Sequence, residues 1–534
     1  MMHPGWLIFS CVAAALPAVL VTTNLRRLLR LPSAALRRLP SVSVLIPARN
    51  EEANIRQVIE SVLSCSGVDL EVLIWDDGST DGTAEIVNAL SLRDARVTLV
   101  EGLPLPSGWA GKPFGCWNLG QRAKGDVLIF IDADVRLRAG DSLARISAAF
   151  LRPELDLLSG VPWQRVETLW EVMFVPLIHF ILLGFLPLRH MRASKNPSFA
   201  AGCGQFMAFR REAYLSIGGH SQAKSSFHEG TVMARAIRTA GRVADLSDLS
   251  DVSLCRMYSN AGEVWRGFAK GAREGLAAPK SLLPFSILLF FGQVFPAIAL
   301  LCGELNRTST LWALLALALG YATRGALALR FKQPISSVLL HPLSVALLLL
   351  NQWYGAARYW LGRPMHWRGR AAVLVMFAPL YGVNAAELSR CPEFTLEDQH
   401  SIKHEIRFPH PRPLYLVAAS RTGTAHIANW VKPVADAYGE QIDIFGLAAV
   451  QGVPIPLRWA VRSLIRDGTN CPVLMDWAGD CIPKLCAPNL STSVFVIQSD
   501  GQILLNLGGP ATPSGLASIK SELDRVLYKK PKAR

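Results

Sequence analysis

The chain has 534 residues, of which 51% are hydrophobic and only 18% charged, and its formal net charge is +14. Soluble domains carry about a quarter charged residues, so general disorder is excluded and a wholly soluble, single-domain molecule is not expected. The ten cysteines include no Cys-x-x-Cys pair, which argues against a disulfide scaffold and a zinc ribbon. Basic residues cluster beside apolar runs, as at Arg26, Arg27, Arg30, Arg37 and Arg38. That placement suits an anionic membrane surface rather than nucleic acid.

Residues 6–23 (WLIFSCVAAALPAVLVTT) carry no charge and are long enough for one bilayer crossing. The arginines follow this run instead of preceding it. The expectation is therefore a transmembrane anchor over residues 4–24, not a cleaved signal peptide, with the next segment cytoplasmic.

Between residues 41 and 280 strand and helix alternate. VSVLIP (42–47) is a short β-branched run, and residues 50–65 have helical spacing with Ile55, Val58, Ile59, Val62 and Leu63 on one face. EVLIWDDGSTDGT (71–83) is a strand that breaks at a turn; ARVTLVE (95–101) and DVLIFIDAD (126–134) are two more strands. Strands separated by helices imply a parallel sheet whose ligand binds at the strands' carboxyl ends. The acids lie there: Asp76 and Asp77 close one buried strand, Asp132 and Asp134 another. An Asp-Gly pair alone is often only a turn. Asp132 and Asp134, with no helix to cap, suit Mg²⁺ or Mn²⁺ bridging a diphosphate.

Residues 169–188 are apolar enough to span, yet a crossing would split this domain across the membrane. They are expected to lie in the interface, with Glu171, His179 and Arg189 near water. Apolar stretches at about 282–303, 309–329 and 335–356 predict three further membrane helices, and an Arg- and Trp-rich interfacial segment completes the region 282–370. Arg324, inside the second of these, should face protein or snorkel.

VSVLIPARNEEANI, WDDGSTDGT, GWAGKPFGCWNLGQRAKGD and FIDADV, in this order, resemble family 2 glycosyltransferases of the GT-A fold, an α/β, Rossmann-like class. GCGQFMAFRREAYLSIGGH (202–220) and RMYSNAGEVWRGFAKGAREG (256–275), followed by membrane helices, resemble the membrane-bound subgroup associated with carotenoid and hopanoid pathways. The resemblance implies that Pro47, Arg49, Asn50, Glu51, Asp76 and Asp77 hold the nucleotide. It places Lys112 close to the diphosphate and makes Asp132 and Asp134 the metal and nucleotide-sugar motif. Inverting members usually open a helix with a Glu-Asp pair whose carboxylate serves as base. Here the sequence is His228-Glu229-Gly230, with glycine at the Asp position. Glu229 is then the expected base and His228 the second choice, with Asp134 completing the catalytic set; the plainer alternative is that Glu229 complements a helix N-terminus. Arg256, Tyr258 and Trp265 fall near the family's acceptor and diphosphate motif, although an interfacial belt explains them equally well. Cys203 and Cys255 suit small buried positions.

Residues 387–412 read as a polar, proline-containing linker. The order β-α-β-α-β-β-α over residues 413–530 resembles a thioredoxin-like domain. It has no cysteine in the run Ala419-Ser420-Arg421-Thr422-Gly423-Thr424, and Thr492 stands where that family has a cis-proline. Cys471, Cys481 and Cys486 match no redox spacing, though Cys481 with Cys486 remains a possible unconventional pair. A binding role toward a protein partner is the expectation.

The resulting expectation is a multi-pass cell-membrane protein with a cytoplasmic catalytic domain. It moves a sugar from a nucleotide-diphosphate donor to a lipid or isoprenoid acceptor, with inversion and without nucleic acid. The alternatives are a polyprenyl-phosphate glycosyltransferase and a catalytically weakened membrane scaffold that recruits partners. Counting crossings puts the C-terminal domain outside, whereas Arg358, Arg363, Arg368 and Arg370 argue for inside.

Overall fold

The computed structural model describes residues 4–33, 38–106, 108–194, 196–226, 228–270, 281–303, 305–360, 365–367, 370–372, 390–419, 427–451, 453, 455, 458–466, 471–481, 485, 492–508 and 511–528. Residues Met1–Gly355 and Ala356–Arg534 form two compact units.

The strands of the first unit are β1 (Val42–Ala48), β2 (Leu70–Asp76), β3 (Val97–Glu101), β4 (Val127–Ile131), β5 (Val135–Leu137), β6 (Leu155–Ser159), β7 (Pro162–Gln164), β8 (Phe206–Arg210), β9 (Val243–Leu246) and β10 (Leu249–Cys255). Seven make one sheet in the order β3-β2-β1-β4-β8-β6-β9, and β5-β10-β7 make a smaller one. β1 runs parallel to β2 and β4, and β2 to β3; β8 is antiparallel to both β4 and β6. All five residues of β4 are buried, as a strand covered on both faces requires. On one face Ile55, Val58, Ile59 and Val62 of the helix Ile55–Leu63 pack against Val44, Ile46, Ile74 and Ile129. This apolar stripe fixes the register that brings the carboxyl ends of β1, β2 and β4 to one edge.

Among the described residues three helices are long and apolar enough to cross a membrane: Pro4–Arg27, Leu282–Cys302 and Arg307–Arg330. The stretch 335–356, expected as a fourth, is divided into Ser336–Leu339 and His341–Trp360, with Pro334 and Pro342 on either side of the short piece. The 169–188 stretch is also interrupted. It forms helices Leu169–Phe174, Leu177–Phe185 and Leu188–Ala193, broken at Pro176 and Pro187, where proline removes an N–H donor and crowds the preceding turn. Asn24 of the first helix compensates. Its Nδ2 donates to the Leu183 and Leu186 carbonyls at 2.7 Å each, and its Oδ1 accepts from the Leu188 N–H at 3.1 Å.

In the second unit β11 (Met365–Trp367) pairs with β12 (Arg370–Ala372), and β13 (Phe394–Glu397) with β14 (Lys403–Ile406). The main sheet joins β15 (Leu414–Ala419), β16 (Asp443–Ala449), β17 (Val473–Asp476), β18 (Thr492–Ile497) and β19 (Ile503–Gly508) in the order β17-β16-β15-β18-β19. β15, β16 and β17 are parallel, whereas β18 is antiparallel to β15 and β19. Helices Ile427–Tyr438, Arg458–Arg466 and Pro513–Tyr528 complete the expected element order. The 387–412 segment is not a plain linker, because it carries the β13–β14 hairpin. Cys391, Phe394, Leu396, Ile406 and Phe408 join an apolar cluster with Leu416 and Phe495, while Thr395, Glu397, Lys403 and Glu405 face solvent. Period-two alternation made the segment polar on average while its apolar residues lie buried. Thr492 is buried at the start of β18; residues 420–426 and Cys486 lie outside the described residues.

Candidate active site

The parallel register sets Ala48 beside Asp76 and Leu45 beside Phe130. The loop after β1, the turn after β2 and the Asp132–Asp134 segment after β4 therefore share one edge. Pro47 stands opposite Trp75 in this register. Arg49 Nη1 donates to the Asp77 carbonyl at 2.6 Å and lies 3.7 Å from Asp77 Oδ2. Asn50, with φ of +52°, ties the loop to the turn: its N–H donates to Ser79 Oγ at 2.9 Å and its Oδ1 accepts from the Thr80 N–H at 2.8 Å. Asparagine tolerates this left-handed conformation better than most residues. The Glu51 N–H donates to Thr83 Oγ1 at 2.8 Å, and Glu51 Oε2 accepts from Asn54 Nδ2 at 3.1 Å. Asp76 accepts from the Ser79 N–H at 3.1 Å, so part of its capacity is used inside the turn. The six expected nucleotide-contacting residues thus form one cross-braced rim.

The second half of the site is a charge cluster. Lys112, in the helix Gly111–Arg122, reaches Asp132 Oδ1 at 2.5 Å and the Gly204 carbonyl at 3.1 Å, and it also pairs with Glu229. Burial disfavours the Lys112 ammonium, but Asp132 and Glu229 override it and raise the pKa well above the ordinary lysine value. Burial likewise opposes ionisation of Glu229, yet Lys112 prevails and its pKa is lowered. Asp132 is pushed upward by burial and Glu229, with Lys112 acting in the opposite sense. Asp134, half-buried, is raised to about 7 by burial first and then by Asp132 and Glu51. Among the described residues its Oδ1 is enclosed without a hydrogen-bond partner, while the carboxyl group also has a hydrogen bond with Cys255. Among the described residues no three His, Cys, Asp or Glu side chains converge as a metal cluster; the edge offers two carboxylates.

The departure at Gly230 has a steric cause. A Cβ there would lie 2.6 Å from the Gly202 carbonyl oxygen and from the Gly204 nitrogen, so an aspartate cannot occupy this packed position. Glu229 opens the helix Glu229–Thr239 with its side chain only 6% exposed and engaged by Lys112. It is therefore a charge partner held in place. His228 is at the cap of the same helix, half-buried, with its N–H donating to Ser226 Oγ at 3.0 Å.

Arg256 is held by Glu167 at 2.6 Å and Glu171 at 3.1 Å. Glu171 also closes a capping box with Thr168 at the start of the 169–174 helix. Burial works against this carboxylate, and Arg256 and Thr168 keep its pKa low. Tyr258 is buried against Gly267, and Trp265 lies among Trp170, Phe174 and Tyr354, with ring centroids 6.5, 6.1 and 5.8 Å away. Sequence reasoning missed Gln205 and Gln164. Gln205 Nε2 donates to Cys255 Sγ at 3.0 Å, and its Oε1 accepts from Gln164 Nε2 at 3.0 Å. This pair backs the Asp132 strand end, whose N–H donates to the Gln205 carbonyl at 3.2 Å. Only the unexplained polar residue inside GCGQFMAF hinted at it.

Residues 43–218 match the family model described as Glycosyl transferase family 2. Over 339 residues the chain is 24% identical to a 4,4'-diaponeurosporenoate glycosyltransferase of Staphylococcus aureus, covering 62% of this chain and 88% of the relative. It is 30% identical over 199 residues to the protein of the same description from Staphylococcus haemolyticus, covering 37% and 52%. Among solved structures it is similar to a mannosyltransferase from Pyrobaculum calidifontis in complex with GDP-Man and Mn²⁺, with 20% identity and a TM-score of 0.44, over 67% of this chain and 99% of that one.

Proposed function

We propose that this chain, whose residues 43–218 match the Glycosyl transferase family 2 model, moves a sugar from a nucleotide-diphosphate donor to a lipid-soluble acceptor at a membrane face. The observation that carries the reading is the Asp132–Asp134 strand end, where Oδ1 of Asp134 is enclosed with no hydrogen-bond partner among the described residues, beside the nucleotide rim. Pro47, Arg49, Asn50, Glu51, Asp76 and Asp77 would line the nucleotide. Asp132 and Asp134 fit Mg²⁺ or Mn²⁺, because such an ion needs few protein oxygens and takes the rest from phosphates and water. When bound it neutralises charge on the leaving diphosphate. Lys112 holds Asp132 in place and adds a positive charge toward the same group.

The Lys112–Glu229 pair favours an acceptor that needs little help from a base. Glu229 is an ionised but committed carboxylate, so an acceptor oxygen already anionic, a carboxylate or a phosphate, suits this site better than a hydroxyl. The curated relatives are described by an acid, diaponeurosporenoate, and this supports the carboxylate form; a polyprenyl phosphate is the second reading. The three apolar helices support a multi-pass membrane protein. We take the catalytic domain as cytoplasmic and the 169–188 segment as interfacial. Single cysteines at Val166 and Ala193 should then label from one side, and labelling from opposite sides would refute this. The C-terminal unit is proposed to be thioredoxin-like and inert in redox, serving a protein partner. The full chain should fail to reduce insulin with dithiothreitol; reduction at thioredoxin-like rates would overturn that role.

The function is tested by incubating membranes containing the full chain with labelled nucleotide sugars. A labelled, solvent-extractable lipid that disappears in excess EDTA is expected. Undiminished labelling in EDTA would remove the metal, and labelled free sugar alone would remove the lipid acceptor.

A further inference from the structure

The segment after Arg330 enters and leaves from the same face. At one end Arg330 pairs with Asp248, and Lys332 lies 3.8 Å from Asp251; both acids flank the start of β10. At the other end Asn351 Nδ2 donates to the Trp265 carbonyl at 2.8 Å, and the Tyr354 and Trp265 rings are 5.8 Å apart. Both anchors belong to the catalytic domain. Between them the chain reaches inward. His341 Nε2 bonds Gln293 Oε1 at 3.1 Å, halfway along Leu282–Cys302, and Gln293 in turn faces Gly320, in the middle of Arg307–Arg330. The fully buried Arg324 donates from Nη2 to Ser337 Oγ at 2.9 Å and Ser337 donates to the Pro334 carbonyl at 2.6 Å, stitching the inner turn. The helix His341–Trp360 then returns, with Trp353 Nε1 donating to Ser286 Oγ at 3.0 Å near the start of Leu282–Cys302. A segment held by one domain at Arg330 and again at Asn351 and Tyr354 has not crossed between them.

The returning helix leaves a cavity of about 320 Å³ lined by Ser286, Ile287, Phe290, Phe291, Leu349 and Trp353. That volume is within the range of small-ligand sites. The Leu282–Cys302 helix widens into a π-turn at Phe290–Val294, a distortion frequent at functional sites. Aromatic rings connect the groove to the carboxylates. Trp265, beside Tyr354, lies 6.1 Å from Phe174; Phe174 is 5.2 Å from Phe268, and Phe268 is 6.1 Å from Tyr258. Tyr258 follows β10, whose last residue Cys255 pairs with Val135, the neighbour of Asp134.

We infer that residues 331–355 are a re-entrant segment which, with Leu282–Cys302, forms a groove for the single apolar chain of an isoprenoid acceptor. This rests on the lipid-acceptor reading above. The apolar walls take the chain, the Ser286–Trp353 bond joins the two helices at the groove's end nearest the catalytic domain, and the aromatic series guides the polar head toward Asp134.

The test fills the groove. Leu349→Trp and Ile287→Trp, each in the full chain in phospholipid vesicles, should raise the KM for an isoprenoid carboxylate about tenfold while the KM for the nucleotide sugar is unchanged. Unchanged acceptor KM in both variants, or both KM values moving together, would overturn the groove. A diazirine-bearing isoprenoid carboxylate provides a readout independent of turnover. It should crosslink to peptides within 282–302 and 341–360, with competition by unlabelled isoprenoid and not by added phospholipid. Label spread evenly over Pro4–Arg27 and Arg307–Arg330, or competed by phospholipid, would mean the groove takes bulk lipid only. Crosslinking at the groove without any sugar transfer would leave the groove standing and refute the transfer reaction.

Discussion

Two strands in different units end in the same way and are used differently. β4 runs through five buried residues into Asp132 and Asp134, and β17 runs through Val473, Leu474 and Met475 into Asp476. Asp476 is buried and saturated: its oxygens accept the N–H groups of Gly479 at 2.8 Å, Asp480 at 3.1 Å and Cys481 at 3.0 Å. Asp134 keeps an enclosed oxygen with no donor among the described residues and is raised to about 7 by burial, Asp132 and Glu51, against Lys112 and a single side-chain hydrogen bond with Cys255. A carboxylate supplied with several backbone donors is a structural element. One left short of donors among other acids is poised for a ligand that brings positive charge. An acid at a strand's carboxyl end therefore signals a site only when its acceptor capacity is unspent.

The largest effect should come from Asp134. Asp134→Ala is expected to lower sugar transfer at least about 10³-fold with an unchanged circular dichroism spectrum; activity within tenfold of wild type would make it no different from Asp476. Lys112→Met removes the cation shared by Asp132 and Glu229. It should cost about 10²-fold in kcat/KM and shift the rise of activity to higher pH, since Asp132 and Asp134 both lose a charge that lowers their pKa. A pH profile shifted to lower values would contradict the pairing.

Stability provides the smaller tests. Gly230→Asp should destabilise the first unit by about 2–3 kcal/mol through the contact with the Gly202–Gly204 backbone, read as a fall in Tm; a stable, more active variant would refute the steric account of the missing acid. Asp476→Ala strands three backbone donors and should cost the second unit about 2 kcal/mol without altering transfer. The pH dependence of Asp134 has a definite sign. Its folded pKa is above the unfolded value of about 4, so its contribution to stability is complete below about pH 4 and is lost as pH rises through about 7. Asp134→Asn should thus be more stable than wild type by about 1 kcal/mol at pH 8, allowing for solvent screening of a half-buried group, and the gain should shrink toward pH 4. A gain that grows on acidification would show the opposite shift.

The apolar strand runs and the acids that follow them were legible from the sequence because short-range period and strand-end position are local properties. The parallel edge followed from the alternation of strand and helix. The role of Glu229 was not legible: its partner Lys112 is on a distant helix, and the reason for Gly230 is the closeness of the Gly202–Gly204 backbone. The apolar stretch 335–356 did not show by itself where the chain goes, because the contacts of Asn351, Trp353 and Tyr354 on which the proposed return rests are long-range. The β13–β14 hairpin was hidden because its polar face dominated the average. Gln164 and Gln205 had no spacing signal at all.

The central claim is that Asp132 and Asp134 serve transfer from a nucleotide sugar to a membrane lipid. Its most direct measurement is mass analysis of extracted lipids from membranes bearing the wild-type chain or Asp134→Asn at equal folded amounts, each supplied with isotope-labelled nucleotide sugar. A glycosylated lipid present with the wild type and absent with Asp134→Asn is expected. The same glycolipid at the same level from both would contradict the account.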